Sequence, residues 1–127
     1  MTAYAVAHLR PAAHLHDEVF TYIECIQSTF APYGGAFLVH GVTPEVLEGE
    51  WPGALVVVGF PTLRDARAWY DSEAYQEIAP LRTRHIPGDV ILVDGVAPGY
   101  DASRTVAELR TAQAGAGAVP DRGTAAS

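Results

Sequence analysis

The run Ala54-Leu55-Val56-Val57-Val58-Gly59-Phe60 restricts the fold more than any other stretch of the chain. It is apolar on both alternating sets of positions, so as a strand it calls for cover on both faces. Crossing a bilayer takes about twenty apolar residues in a helix, and this run is far shorter. It is therefore read as an inner strand, and the rest of the chain is read for what pairs with it and covers it.

Ala3 to Leu9 is a first strand. Leu15, Val19, Tyr22, Ile23, Ile26 and Phe30 then fall three and four apart, the spacing of a helix with one apolar face. Asp17 and Glu18 occupy its first turn, where the helix dipole favours acids. Pro32-Tyr33-Gly34-Gly35 ends it. Ala36 to His40 is a second strand, with Val46-Leu47-Glu48 read as its extension beyond a kink at Gly41 to Pro44, and Trp51-Pro52-Gly53 is a turn. Thr62-Leu63-Arg64-Asp65 is a capping box that opens a helix carrying Ala66, Trp69 and Tyr70. Ser72 caps a further helical stretch with Tyr75, Ile78 and Ala79 on one side, which Pro80 is expected to kink or end. Asp89 to Asp94 is the fourth strand. The order β-α-β-β-α-β is the split βαβ pattern of the ferredoxin-like α+β fold, with a four-stranded antiparallel sheet. Residues 1–97 form this domain; residues 98–127 are an extension, with a short helix over 103–113 and then a flexible tail that starts with the Ala/Gly run at Ala114. Helices cover only one face of such a sheet. The other face is also apolar, so a homodimer with sheets packed face to face is expected.

With 127 residues, 49% of them hydrophobic, the chain holds one ordinary domain with a real core. Its 15 acidic against 8 basic residues give a net charge of −7, and the basic residues are scattered, which argues against nucleic acid and against an anionic membrane surface. The N-terminal residues carry no signal-peptide pattern, so a cytoplasmic location is expected. The single cysteine, Cys25, rules out an intrachain disulfide. All 8 basic residues are Arg. Without lysine, Schiff-base chemistry and the phosphate-binding P-loop are excluded. No Gly-x-Ser-x-Gly elbow and no Gly-x-Gly-x-x-Gly fingerprint is present either. Acid–base or binding chemistry by His, Tyr, Arg, Asp and Glu remains.

Tyr33-Gly34-Gly35-Ala36-Phe37-Leu38-Val39-His40-Gly41, Val46-Leu47-Glu48-Gly49-Glu50-Trp51 and Val57-Val58-Gly59-Phe60-Pro61 resemble the domain-of-unknown-function 1330 family. The likeness continues through Ala68-Trp69-Tyr70-Asp71-Ser72-Glu73-Ala74-Tyr75-Gln76, Leu81-Arg82 and Asp89-Val90-Ile91-Leu92-Val93-Asp94-Gly95, and spans residues 3 to 97. The resemblance implies a dimeric α+β barrel related to small monooxygenases, and no particular reaction. Two departures stand out. His40 occupies a place that usually carries Arg, and the segment from Arg10 to Asp17 lacks the usual Asp-containing opening of the first helix.

A titratable imidazole in place of a permanent cation points to proton transfer, so His40 is the candidate general base. By alternation it shares a face with Leu38, away from Phe37 and Val39; its structural alternative is a histidine bonded to a backbone carbonyl. Tyr22 and Tyr75 are candidates to donate hydrogen bonds to a substrate oxygen, or else core tyrosines. Arg82, two turns beyond Tyr75, holds a carboxylate or enolate, or else pairs with a nearby acid. Trp51, Glu48, His85 and Trp69 complete the expected substrate-binding set, and His8 is a further candidate. His14-x-His16 is the one motif with metal-ligand character, but it precedes a helix and lacks a completing donor set, so no metal is expected. Cys25 is read as an inert thiol. Together these residues suggest a cofactor-independent enzyme performing cyclisation, isomerisation, dehydration or cofactor-free oxygenation on a small aromatic or polyketide-like substrate. A non-catalytic small-ligand-binding module is the alternative.

Overall fold

A computed structural model describes residues 2–116. Strand β1 (Ala3–Leu9) leads to helix α1 (Asp17–Phe30), a 3-10 turn (Ala31–Tyr33), β2 (Ala36–Val39), β3 (Ala54–Phe60), α2 (Leu63–Asp71), α3 (Glu73–Thr83) and β4 (Gly88–Asp94). The four strands form one sheet in the order β2-β3-β1-β4, every pair antiparallel. This is the ferredoxin-like arrangement expected from the element order. The chain divides between Val96 and Ala97 into two compact units. In the second unit, helix α4 (Ala102–Ala116) carries the expected residues 103–113 and runs on through Ala114. Asp101 caps it by accepting from the Ser103 backbone N–H at 2.9 Å. The tail expected beyond it, residues 117–127, lies outside the described residues.

The first unit closes its core on one face of the sheet. Ala5, Val58 and Phe60 of the sheet form one buried cluster with Phe30 of α1, Trp69 of α2 and Tyr75 of α3, and Ala3 and Val19 are buried as well. Each large apolar side chain buried in this way contributes about 1.5–3 kcal/mol. The helix starts are chemically specified. Thr62 Oγ1 caps α2 by accepting from Asp65 N at 3.1 Å, as expected. The Asp65 carboxylate accepts from the Thr62 hydroxyl at 2.9 Å and not from its backbone N–H, so the reciprocal arm of the expected capping box is replaced by a side-chain bond. Ser72 Oγ accepts from Tyr75 N at 3.2 Å and separates α2 from α3.

Three local expectations need correction. Val46-Leu47-Glu48 is not strand; no regular secondary structure occurs between β2 and β3, and Leu47 is almost fully exposed. Gly53 fixes where β3 begins. Its φ is 99°, and a Cβ there would collide with the Leu9 carbonyl oxygen. Pro80 does not end its helix. Although it removes the bond to the preceding turn, Arg84 N still bonds Pro80 O and Ile86 N bonds Arg82 O at 2.8 Å. The helix therefore carries Tyr75, Ala79 and Arg82 along one buried stripe. The third correction concerns β2. Phe37 pairs with Val58 and Val39 with Val57, so Leu38 is an extra residue, a bulge. A bulge shifts the alternation by one position. His40 is therefore not on the Leu38 side: its ring stacks on Phe37 at 4.2 Å, on the helix side of the sheet.

The opposite face has no cover from within the unit. Leu38, Ile91 and Val93 are 56%, 55% and 43% exposed there, and Leu38 lies over Gly59.

Candidate functional site

Between α1, α3 and the sheet lies a cavity of about 290 Å³. It exists because the strand residues beneath the helices are small: Ala5, Ala7 and Ala54 form the floor where larger side chains would have filled the layer. Val19 and Ile26 of α1 and Ile86 after α3 are among its apolar walls.

The polar groups reaching this apolar space are few. Tyr22, from the inner stripe of α1, and Tyr75, from the first turn of α3, meet hydroxyl to hydroxyl at 2.9 Å in a buried hydrogen bond. Burial first, and then the neighbouring Tyr75 hydroxyl, push the Tyr22 phenol far above the ordinary phenol range. Tyr22 thus stays neutral and acts as a donor or acceptor of hydrogen bonds, not as a base. Trp69 packs on Tyr75 with ring centroids 4.5 Å apart and is fixed by Nε1 donating to Thr29 Oγ1 at 2.9 Å. It forms the rear wall.

Arg82 is the decisive group. It is 6% exposed and lines the cavity. Its guanidinium carbon lies 5.9 Å from the centre of the Tyr22 ring, and Nη1 donates to the Ile86 carbonyl at 3.4 Å. Among the described residues, no carboxylate lies within salt-bridge distance of it; the ion pairs are Arg10–Asp89, Arg84–Glu18 and His85–Glu18. The ion pair considered for Arg82 from sequence is therefore absent from this set. A desolvated cation with no carboxylate partner among the described residues, bordering an apolar cavity, has the chemistry to hold an anionic oxygen.

His40 borders the same cavity at its mouth, next to Gly41, and is itself exposed. Among the described residues its ring has the stacking contact with Phe37 and no hydrogen-bond partner. The structure thus brings Tyr22, His40, Trp69, Tyr75 and Arg82 to one cavity. It does not bring the rest. Trp51 stacks on His8 at 4.3 Å, and His8 Nε2 is 2.5 Å from the Pro52 carbonyl; neither borders the cavity. Glu48 is exposed in the segment between β2 and β3. His85 is not among the cavity's lining residues; its Nε2 bonds Glu18 Oε1 at 2.8 Å. Sequence reasoning missed the alanine floor, although the alternation Ala3-x-Ala5-x-Ala7 was its signal. It also missed that His85 and Glu18 come up against His16.

A ferredoxin-like unit with an apolar, arginine-bearing cavity between sheet and helices is the class of protein defined here. Within that class the chain belongs to the family described as Domain of unknown function (DUF1330), which matches residues 2–96. Among solved structures it is similar to the RPA0582 protein of unknown function from Rhodopseudomonas palustris: 16% identity over 76% of this chain and 84% of that one, TM-score 0.57. It is also similar to SnoaB, a cofactor-independent oxygenase from Streptomyces nogalater: 12% identity over 79% of this chain and 96% of that one, TM-score 0.49. No functionally curated protein matches the sequence. No described helix is long and apolar enough to cross a membrane.

Proposed function

We propose that the cavity binds a small, flat, largely apolar molecule carrying one anionic or enolisable oxygen, and that the protein moves a proton on it without a cofactor. The observation that carries this reading is Arg82, buried against an apolar cavity without an acidic partner among the described residues. The ligand's oxygen takes the place of the missing counter-charge. Tyr22 and Tyr75 donate to the same oxygen or to a neighbouring one, and Trp69 supports the flat body. His40, at the mouth, accepts a proton from the ligand; the electron pair left behind moves onto the oxygen held by Arg82, and return of the proton to another carbon gives an isomer. Isomerisation or an aldol-type cyclisation needs no further reactant.

A thermal-shift and calorimetric series tests this reading, using aromatic carboxylates and 1,3-dicarbonyls beside neutral and cationic molecules of the same shape. Binders are then assayed for deuterium exchange at the enolisable carbon. Preference for the anionic members, with exchange that falls in both His40→Ala and His40→Gln, is the expected outcome. Full exchange in both variants would remove the proton-transfer role. The exposure of His40, and its lack of an orienting partner among the described residues, favour a second reading: a binding module that holds the same anion without turnover. Binding without exchange is its signature.

The sheet face turned away from the helices, with Leu38 exposed on one edge strand and Ile91 and Val93 exposed on the other, supports a homodimer through that face as part of the same proposal. Light scattering giving only a 13.5 kDa species at micromolar concentration would count against it.

A further inference from the structure

Outside the cavity, where α1 begins and α3 ends, three side chains with metal-ligand chemistry converge. His16 is the N-cap of α1, Glu18 lies in the first turn of that helix, and His85 follows the C-terminal end of α3. The two imidazoles stack with centroids 4.0 Å apart and planes 10° from parallel. Glu18 Oε1 is 2.8 Å from His85 Nε2. One ligand atom from each of the three lies within 4.8 Å of the others.

We propose that His16, Glu18 and His85, brought together across the ends of α1 and α3, form a binding site for a single transition-metal dication of the zinc class. Two imidazoles and one carboxylate are a common three-ligand set for such ions, and they leave a fourth position for water. Nitrogen donors select zinc, nickel, cobalt or copper over calcium and magnesium, which take oxygen. Bond lengths of about 2.0–2.2 Å place the ligand atoms of a tetrahedral site somewhat over 3 Å apart. The three atoms lie within 4.8 Å of one another, and the Glu18–His85 hydrogen bond already holds two of them close to the tetrahedral separation. The metal takes the place of the proton now shared between them.

Two features work against the ion and set its affinity. Arg84 Nη1 lies 3.2 Å from both Glu18 oxygens and competes for them. His16 Nδ1 accepts the Glu18 backbone N–H at 3.0 Å. A neutral imidazole has one lone pair, so ligation takes the pair that now caps α1. The site stands independently of the proposed activity, although Leu15 and Ile86, the chain neighbours of His16 and His85, line the cavity. A bound ion would tie together the two elements at its rim.

Calorimetric titration of the full chain with zinc chloride alone tests the site, together with imidazole ¹⁵N spectra. The expected result is one zinc per chain, with shifts at His16 and His85 and none at His8 or His40. His16→Asn, which keeps a capping side chain, His85→Ala and Glu18→Gln should each weaken binding by about tenfold or more. Arg84→Gln should tighten it. Zinc affinity unchanged in both His16→Asn and His85→Ala, or shifts spread over all the histidines, would overturn the proposal. If either variant fails to fold, the spectra of the wild-type chain alone decide.

Discussion

Replacing Arg82 by Met separates what the guanidinium does for the fold from what it does for a ligand. The side chain is 6% exposed. Its bond to the Ile86 carbonyl is 3.4 Å long, near the limit for a hydrogen bond, and is worth at most about 1 kcal/mol. Its place 5.9 Å from the Tyr22 ring centre is at the edge of cation–π range and adds about 0.5 kcal/mol. Against these, withdrawing an ion from water costs several kcal/mol even after relaxation, and apolar replacement of a buried ion pair commonly stabilises by about 1–4 kcal/mol. Arg82 has no acidic partner among the described residues, so the variant should be more stable by about 1–2 kcal/mol. For a domain of this size that raises the thermal midpoint by roughly 4–8 °C per kcal/mol. Affinity for an aromatic carboxylate should fall at the same time by roughly tenfold to a hundredfold, the equivalent of one charge-assisted hydrogen bond. Scanning calorimetry and ligand titration on the two proteins read both effects. A lowered midpoint with unchanged affinity would refute the reasoning, because the guanidinium would then be a structural member of the core.

Three further outcomes follow from the same geometry. The Tyr22 phenol is held far above its usual range, chiefly by burial, so the native state keeps a proton that the unfolded chain releases above about pH 10. Stability from this group is complete below that pH and declines as pH rises above it, and alkaline denaturation should begin at higher pH in Tyr22→Phe than in wild type; identical alkaline limbs would contradict this. The Glu18 carboxyl is held below 4.5, first by its hydrogen bond to His85 and also by Arg84. Its contribution is present above that pH and is lost as pH falls through the lowered value, so acid unfolding of Glu18→Gln should show a shallower pH dependence, measured by circular dichroism. Thr62→Ala removes both bonds that Thr62 Oγ1 makes with Asp65 and should cost about 1 kcal/mol in a denaturant titration; no loss would mean that packing alone fixes the start of α2.

Three local signals carried the architecture: the doubly apolar run of β3, the one-sided apolar stripe of α1, and the capping hydroxyls at Thr62 and Ser72. What escaped had causes that local pattern does not encode. Pro80 is expected from sequence to kink or end its helix, yet the helix runs on through it to Thr83 with Tyr75, Ala79 and Arg82 buried along one stripe. The face of His40 was misassigned because the bulge at Leu38 adds one residue to β2, and alternation has no memory of an insertion. The residues Tyr22, Tyr75 and Arg82 were chosen by chemistry and spacing, and they do meet at one cavity. Trp51 and Glu48, expected from their place at the turn between the second and third strands, and His85 do not line the cavity. His14-x-His16 drew attention as a pair, but the partner of His16 is His85, about seventy residues away in sequence and stacked on it in space.

The central claim is that the cavity is built for an anion at Arg82. A crystal structure of the protein grown with a planar aromatic carboxylate such as 2-naphthoate tests it most directly. The account predicts the ring system against Trp69 and the alanine floor, with the carboxylate hydrogen-bonded to the Arg82 guanidinium and to the Tyr22–Tyr75 pair. A carboxylate turned toward the mouth and solvent, or a cavity left empty while the compound binds elsewhere, would contradict it.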